Sequence, residues 1–177
     1  HEEGMDMTHP RVDIAGALSG ITGMEFPLYN AAIAVMMDLF GEAHWYGRLL
    51  NLIMASFGIW FFFRLIRAHA DERTAFLAAM ILLGSLWFSM SRKIIPDIFS
   101  CSLMFIGIER SLGFITGRLG KPWLLIGAAL CTLAVLMKLS VGCWMILIPL
   151  SYFLTGTDRS HWWTFQVVQG VFLISVL

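Results

Sequence analysis

Arg48, Arg92, Lys93 and Lys138 recur at the ends of successive apolar stretches, with Glu25 and Asp97 beside them in the sequence. A helical hairpin in lipid needs no Arg or Lys in its turns, and a charge at a membrane face is costly to desolvate unless something pairs with it. Mixed cations and carboxylates on one face suit an anionic lipid headgroup and a reaction that needs an acid or a base. The competing reading is that the long side chains snorkel to water or pair with one another. Spacing alone leaves both readings open.

The elements that must carry these charges are apolar helices. Hydrophobic residues make up 58% of the chain and charged residues 14%, with a mean hydropathy of +0.77. A chain so poor in polar residues cannot cover itself against water, so lipid is its expected solvent. The expected fold is all-α, a polytopic transmembrane helical bundle with a non-cytoplasmic loop and an interfacial helix. Residues 1–26 read as the loop and 27–41 as the interfacial helix, opened by Pro27 and closed by Gly41. That helix carries Asp38 and is too short to cross a core of about 30 Å. Residues 46–177 read as the bundle, with full spans near 46–67, 74–90, 96–115, 122–136 and 141–155 and a sixth that is truncated. Short polar turns between them imply antiparallel neighbours, and no strand pattern appears.

Basic residues set the expected orientation. Arg64, Arg67, Arg73, Arg110, Arg118, Lys121 and Arg159 collect on the side favoured as cytoplasmic. Arg11, Arg48, Arg92, Lys93 and Lys138 fall on the other, together with the loop, the interfacial helix and the turns SRKIIPD and MKLSVG. The chain opens HEEGMDM and stops inside the apolar run VFLISVL, so a fragment is expected, the amino-terminal half of a longer protein.

Four motifs in order resemble the GT-C superfamily of membrane glycosyltransferases, of the protein-mannosyltransferase-like and aminoarabinose-transferase-like kinds (glycosyltransferase family 39 or 83 type). In GMEFPLYNAAIAVMMDLFGEAHWYGRLLNLI, the residues Glu25, Pro27, Tyr29, Phe40, Gly41, Arg48 and Leu49 fill places of that pattern. SRKIIPD looks like the family's outer turn ending in Pro-Asp, MKLSVG like its Lys-bearing turn, and HPRVDIAGALSG like the loop upstream of Glu-Phe-Pro in bacterial members. The likeness covers nearly the whole chain.

The resemblance implies transfer of a sugar from a polyprenyl-phosphate-linked donor to a lipid, glycan or protein acceptor on the non-cytoplasmic face, in a multi-pass protein of the bacterial inner membrane. It implies a catalytic Asp shortly after a first span, expected upstream of His1; Glu2 and Glu3 are not assigned that role. Phosphate leaving groups gather negative charge, and fixed cations lower that barrier. Lys138, Arg92 and Lys93 are therefore the candidates for the donor phosphate, Lys138 first among them. Glu25, Asp97 and Arg48 belong to the outer cavity. Asp97 is either a site residue or a carboxylate favoured by the positive end of its helix. Glu25 either orients an acceptor or a metal, or is a solvated loop charge. Arg48 either clamps loop to bundle or touches the donor. No metal-ligand set is assigned; a divalent cation is left open as a cofactor, although a lone loop histidine such as His9 usually ligates nothing.

Other classes are set apart by residues that are missing or misplaced. The net charge is zero, so no nucleic-acid partner is suggested. Cys101, Cys131 and Cys143 lie in apolar runs and read as packing residues. No Walker loop, Rossmann fingerprint, HExxH or CxxC pair occurs. A transporter or lipid flippase, in which the same charges line a path, and a non-catalytic assembly subunit remain the rival readings.

Overall fold

A computed structural model describes residues 26–146, 148–150 and 159–174. All regular structure among them is helical: α1 (Leu28–Phe40), α2 (Tyr46–Arg67), α3 (Glu72–Leu83), α4 (Leu86–Met90), α5 (Pro96–Ile115), α6 (Lys121–Met137), a 3-10 helix (Leu139–Ile146), a helical stretch at 148–150 and α7 (Arg159–Ile174). Two of these, α2 and α5, are long and apolar enough to cross a membrane.

Local chemistry explains the boundaries. Pro96 and Pro122 lie in the first turns of α5 and α6, where a missing N–H costs nothing. Asp71 caps α3, its carboxylate accepting from the Arg73 and Thr74 amides at 3.1 Å and from the Thr74 hydroxyl at 2.6 Å. These bonds hold its pKa below the usual carboxylate range. Gly41 ends α1 with φ +84°, a conformation that side chains other than glycine rarely adopt.

The stretch 74–90, read from the sequence as one span, is instead two helices. Gly84 and Ser85 break it, Ser85 turning extended while its hydroxyl donates to the Leu82 carbonyl at 2.6 Å. A Gly-Ser pair kinks helices for this reason: one residue adds no packing, and the other offers the backbone a competing partner. In the stretch 141–155, the described part is 3-10 up to Ile146 and helical again at 148–150; the remainder lies outside the described residues.

The core is built around α5. From Ile98 to Ile115 nearly every residue of it is buried, against α2 on one side and α6 on the other. Close approach to α6 depends on glycine. A Cβ at Gly107 would lie 2.6 Å from the Cys131 sulfur, and one at Gly127 would lie 2.6 Å from the Ser111 hydroxyl. Small residues of this kind let two helix backbones touch, which is how apolar helices associate when water gives no help. Phe105, 2% exposed, then gathers Phe62, Trp87 and Trp144 around it at ring-centroid distances of 5.3, 6.0 and 5.5 Å. That aromatic group ties α2, α4 and the 3-10 helix to the core.

Candidate functional site

Four chain segments meet at one end of the bundle. The α6 helix stops at Met137 because Lys138 turns extended, with φ −152° and ψ 105°. Its ammonium lies 2.7 Å from the Asp97 carboxylate in the first turn of α5, and both side chains are partly exposed, at 34% and 45%. One turn below, the Ser100 hydroxyl donates to the Ala134 carbonyl at 2.8 Å and joins the same two helices. The Asp97 carboxylate therefore does not cap its helix: Ile95 occupies the cap position, with no side-chain cap bond, and the carboxylate is spent on Lys138.

The turn before α5 is held by a residue that the sequence reading passed over. Asn51, on α2 and fully buried, donates its amide to the carbonyls of Lys93 at 2.7 Å and Ile95 at 2.9 Å. Its own oxygen is buried without a partner in the structure. A carboxamide in the second turn of an apolar span was the available signal, since such a group is expensive in lipid unless it has a structural or chemical task.

Tyr29, which the sequence marks only as part of the family pattern, docks α1 on the same end. Its hydroxyl donates to the Gly47 carbonyl at 2.9 Å, and its ring meets Phe99 edge-on at 5.8 Å. Burial pushes this phenol up to about 12. The Phe26 amide, next to Glu25 in the sequence, donates to the Leu136 carbonyl at 3.4 Å, so the entry to α1 reaches the segment just before Lys138. Otherwise α1 is sparsely covered, with Val35, Leu39 and Phe40 exposed.

Beside the ion pair opens a cleft of about 410 Å³ between α4 and α5. Leu86, Trp87, Met90 and Ile98 make its apolar wall, and Lys93 and Asp97 stand on it as the polar lining. Arg92 and Lys93 are exposed in the turn that Asn51 holds, and neither forms an ion pair with a described carboxylate. Arg48 is exposed on the first turn of α2, beside Gly47, against which Ile94 of that turn packs; it too lacks an ion pair with a described carboxylate. The structure thus brings Lys138 and Asp97 into contact and sets Lys93 on the same cleft as Asp97, with Arg92 next to Lys93 in the turn and Arg48 on the first turn of α2. Glu25 and His9 lie outside the described residues. Among the described residues no three His, Cys, Asp or Glu side chains converge as a metal site, and the three cysteines are free thiols.

A separate charged group sits at the opposite end. Glu109 of α5, 2% exposed, accepts from Arg64 of α2 at 3.0 Å and lies 3.6 Å from Arg110. The sequence reading used both arginines only for orientation and left Glu109 aside.

This arrangement sets fixed cations at the rim of an apolar cleft. No curated protein and no solved structure matches the chain. Over residues 24–177, which take in every helix described above, the sequence matches the family described as dolichyl-phosphate-mannose-protein mannosyltransferase. With a match of that length the chain belongs to this family, of membrane glycosyltransferases of the GT-C type.

Proposed function

We propose that the chain takes part in glycosyl transfer from a polyprenyl-phosphate sugar to an acceptor on the non-cytoplasmic face, with the donor phosphate received by Lys138, Lys93 and Arg92. The observation that carries the reading is the Lys138–Asp97 ion pair, 2.7 Å long, at a cleft whose wall is apolar. A donor of this class has one charged group on a long hydrocarbon tail. Cations beside an apolar cleft match both parts at once.

In the reaction the bond between the anomeric carbon and the phosphate oxygen breaks, and its electron pair goes to that oxygen. The acceptor hydroxyl oxygen bonds to the anomeric carbon, and a carboxylate base takes the hydroxyl proton. Asp97 is not assigned as that base, because its carboxylate is engaged by the Lys138 ammonium at 2.7 Å. Its part is to hold Lys138 extended and charged at the cleft until a phosphate arrives, whose oxygens then share the ammonium. Lys93 and Arg92 add charge without a carboxylate to displace, so positive charge faces the leaving group as negative charge grows on it. Arg48 and Glu25 are assigned to the outer cavity on the family resemblance, Glu25 to orient an acceptor or a metal. Helix α1, with its uncovered Val35, Leu39 and Phe40, lies along the membrane face. Sequence composition and the apolar helices support a multi-pass membrane protein, and the resemblance of HPRVDIAGALSG to bacterial members supports the bacterial inner membrane.

The test is turnover of a panel of radiolabelled polyprenyl-phosphate sugars by the full-length protein in membranes, wild type against Lys138→Ala. Loss of about a hundredfold or more in the inserted mutant is the expected result. Full activity in the mutant removes Lys138 from the donor phosphate. Absence of turnover by the wild type with any donor in the panel turns the reading toward transport or assembly.

A further inference from the structure

The opposite end of the bundle carries a second arrangement that the glycosyl-transfer reading does not use. Arg110 at the inner part of α5 is 16% exposed, and its guanidinium lies over two aromatic rings: Trp123 of α6 at 4.3 Å and Phe61 of α2 at 5.0 Å. Its only carboxylate contact among the described residues is the 3.6 Å approach to Glu109, whose other oxygen is already taken by Arg64 at 3.0 Å. One buried carboxylate is thus divided between two guanidiniums. Arg118 in the turn between α5 and α6 and Lys121, the first residue of α6, both exposed, add two more cations. Among the described residues the other acids near this end, Asp71 and Glu72, begin α3, which packs against α2 and α4; the Asp71 carboxylate is occupied by its cap.

From this basic group the surface runs on as hydrocarbon. Trp123 is 39% exposed, and Leu125 and Ile126 around the same turn of α6 are exposed at 52% and 45%. Cations beside exposed hydrocarbon at one helix end match a phosphate that carries acyl chains. A soluble polyanion would use the first part and leave the second in water.

We propose that the end of the bundle where α2, α5 and α6 meet binds an anionic phospholipid, its phosphate on Arg110 and Lys121 and its chains along Trp123, Leu125 and Ile126. Arg110 is held over its two rings and so loses little freedom on meeting the phosphate. Basic clusters between membrane helices bind anionic headgroups through the same combination of fixed charge and low surrounding dielectric. The proposal does not depend on the reading of the Lys138 end.

The experiment is native mass spectrometry of the full-length protein released from nanodiscs of phosphatidylcholine alone or mixed with phosphatidylglycerol. Wild-type protein is expected to retain phosphatidylglycerol in preference to phosphatidylcholine. The Arg110→Gln/Lys121→Gln variant should retain about tenfold less of it, and Arg73→Gln, a cation on α3, should match wild type. Equal retention of the two lipids by wild type overturns the proposal, since the surface then holds chains without reading the headgroup. Unchanged retention in the double variant overturns it as well, as does protection of this end by another segment of the protein in cross-linking. If the double variant fails to fold, Lys121→Gln alone, an exposed side chain, carries the same comparison with a smaller expected loss.

Discussion

Asn51 reaches across 42 residues of sequence to hold the Lys93 carbonyl at 2.7 Å. Through that bond and its companion to Ile95, α2 sets the turn from which Lys93 and Asp97 face the cleft. The expected consequence of Asn51→Leu is a turn whose two carbonyls lose their donor in a buried setting, worth about 1–3 kcal/mol. Thermal unfolding in detergent should fall accordingly. Glycosyl-transfer activity should drop mainly through weaker donor binding, and a variant that keeps wild-type donor affinity would show that the turn does not need Asn51.

The Lys138–Asp97 pair makes a prediction in the other direction. Asp97→Asn leaves the ammonium in place but removes its anchor. Donor binding should weaken less in this variant than in Lys138→Ala, because the charge that meets phosphate survives. If Asp97 were itself the proton acceptor, Asp97→Asn would instead abolish turnover with donor affinity intact. Kinetics separating KM from kcat distinguish the two.

Glu109 should matter for stability rather than for transfer. Replacing it by Gln or Leu leaves Arg64 and Arg110 facing each other across α2 and α5 with no carboxylate between them. Removing one partner of a buried ion pair typically destabilises by about 3–5 kcal/mol, and the partial exposure of Arg64 at 39% places the expected value at the lower end. Glu109→Leu combined with Arg64→Leu should recover part of that loss, because the double change removes the stranded charge as well. Unfolding midpoints of the single and double variants in detergent check this.

The docking of α1 through Tyr29 has a defined pH window. Its phenol is raised from the ordinary 10.0 to about 12, so the folded state prefers the neutral form. The contribution to stability is then complete below pH 10.0 and is lost as pH rises toward about 12. Ultraviolet titration should reveal a late-ionising phenol that is missing in Tyr29→Phe. That variant keeps the ring against Phe99 but leaves the Gly47 carbonyl without its donor, at a cost of about 1 kcal/mol.

Composition and the placement of proline and polar turns were enough to determine an all-α protein made of apolar helices. Helix starts at Pro96 and near Pro122, and ends at Gly41 and Lys138, depend on residues within one turn of the boundary, so they can be read along the chain. The candidate charges at one end were also legible, because cations at the ends of apolar runs are costly enough to be informative singly. Which of them meet was decided only by the tertiary structure. Lys138 and Asp97 touch because glycines at 107 and 127 let α5 and α6 approach until the two helix ends align. Asn51 and Glu109 stand inside runs whose average hydropathy hides them, and their tasks depend on partners from distant segments. The break between α3 and α4 belongs to the same class: Gly84 alone fits a continuous span, and only the Ser85 bond to Leu82, together with Trp87 packed on Phe105, makes the kinked path the better one. Local rules fix where helices start and stop, while contacts between helices depend on the shape that all of them make together.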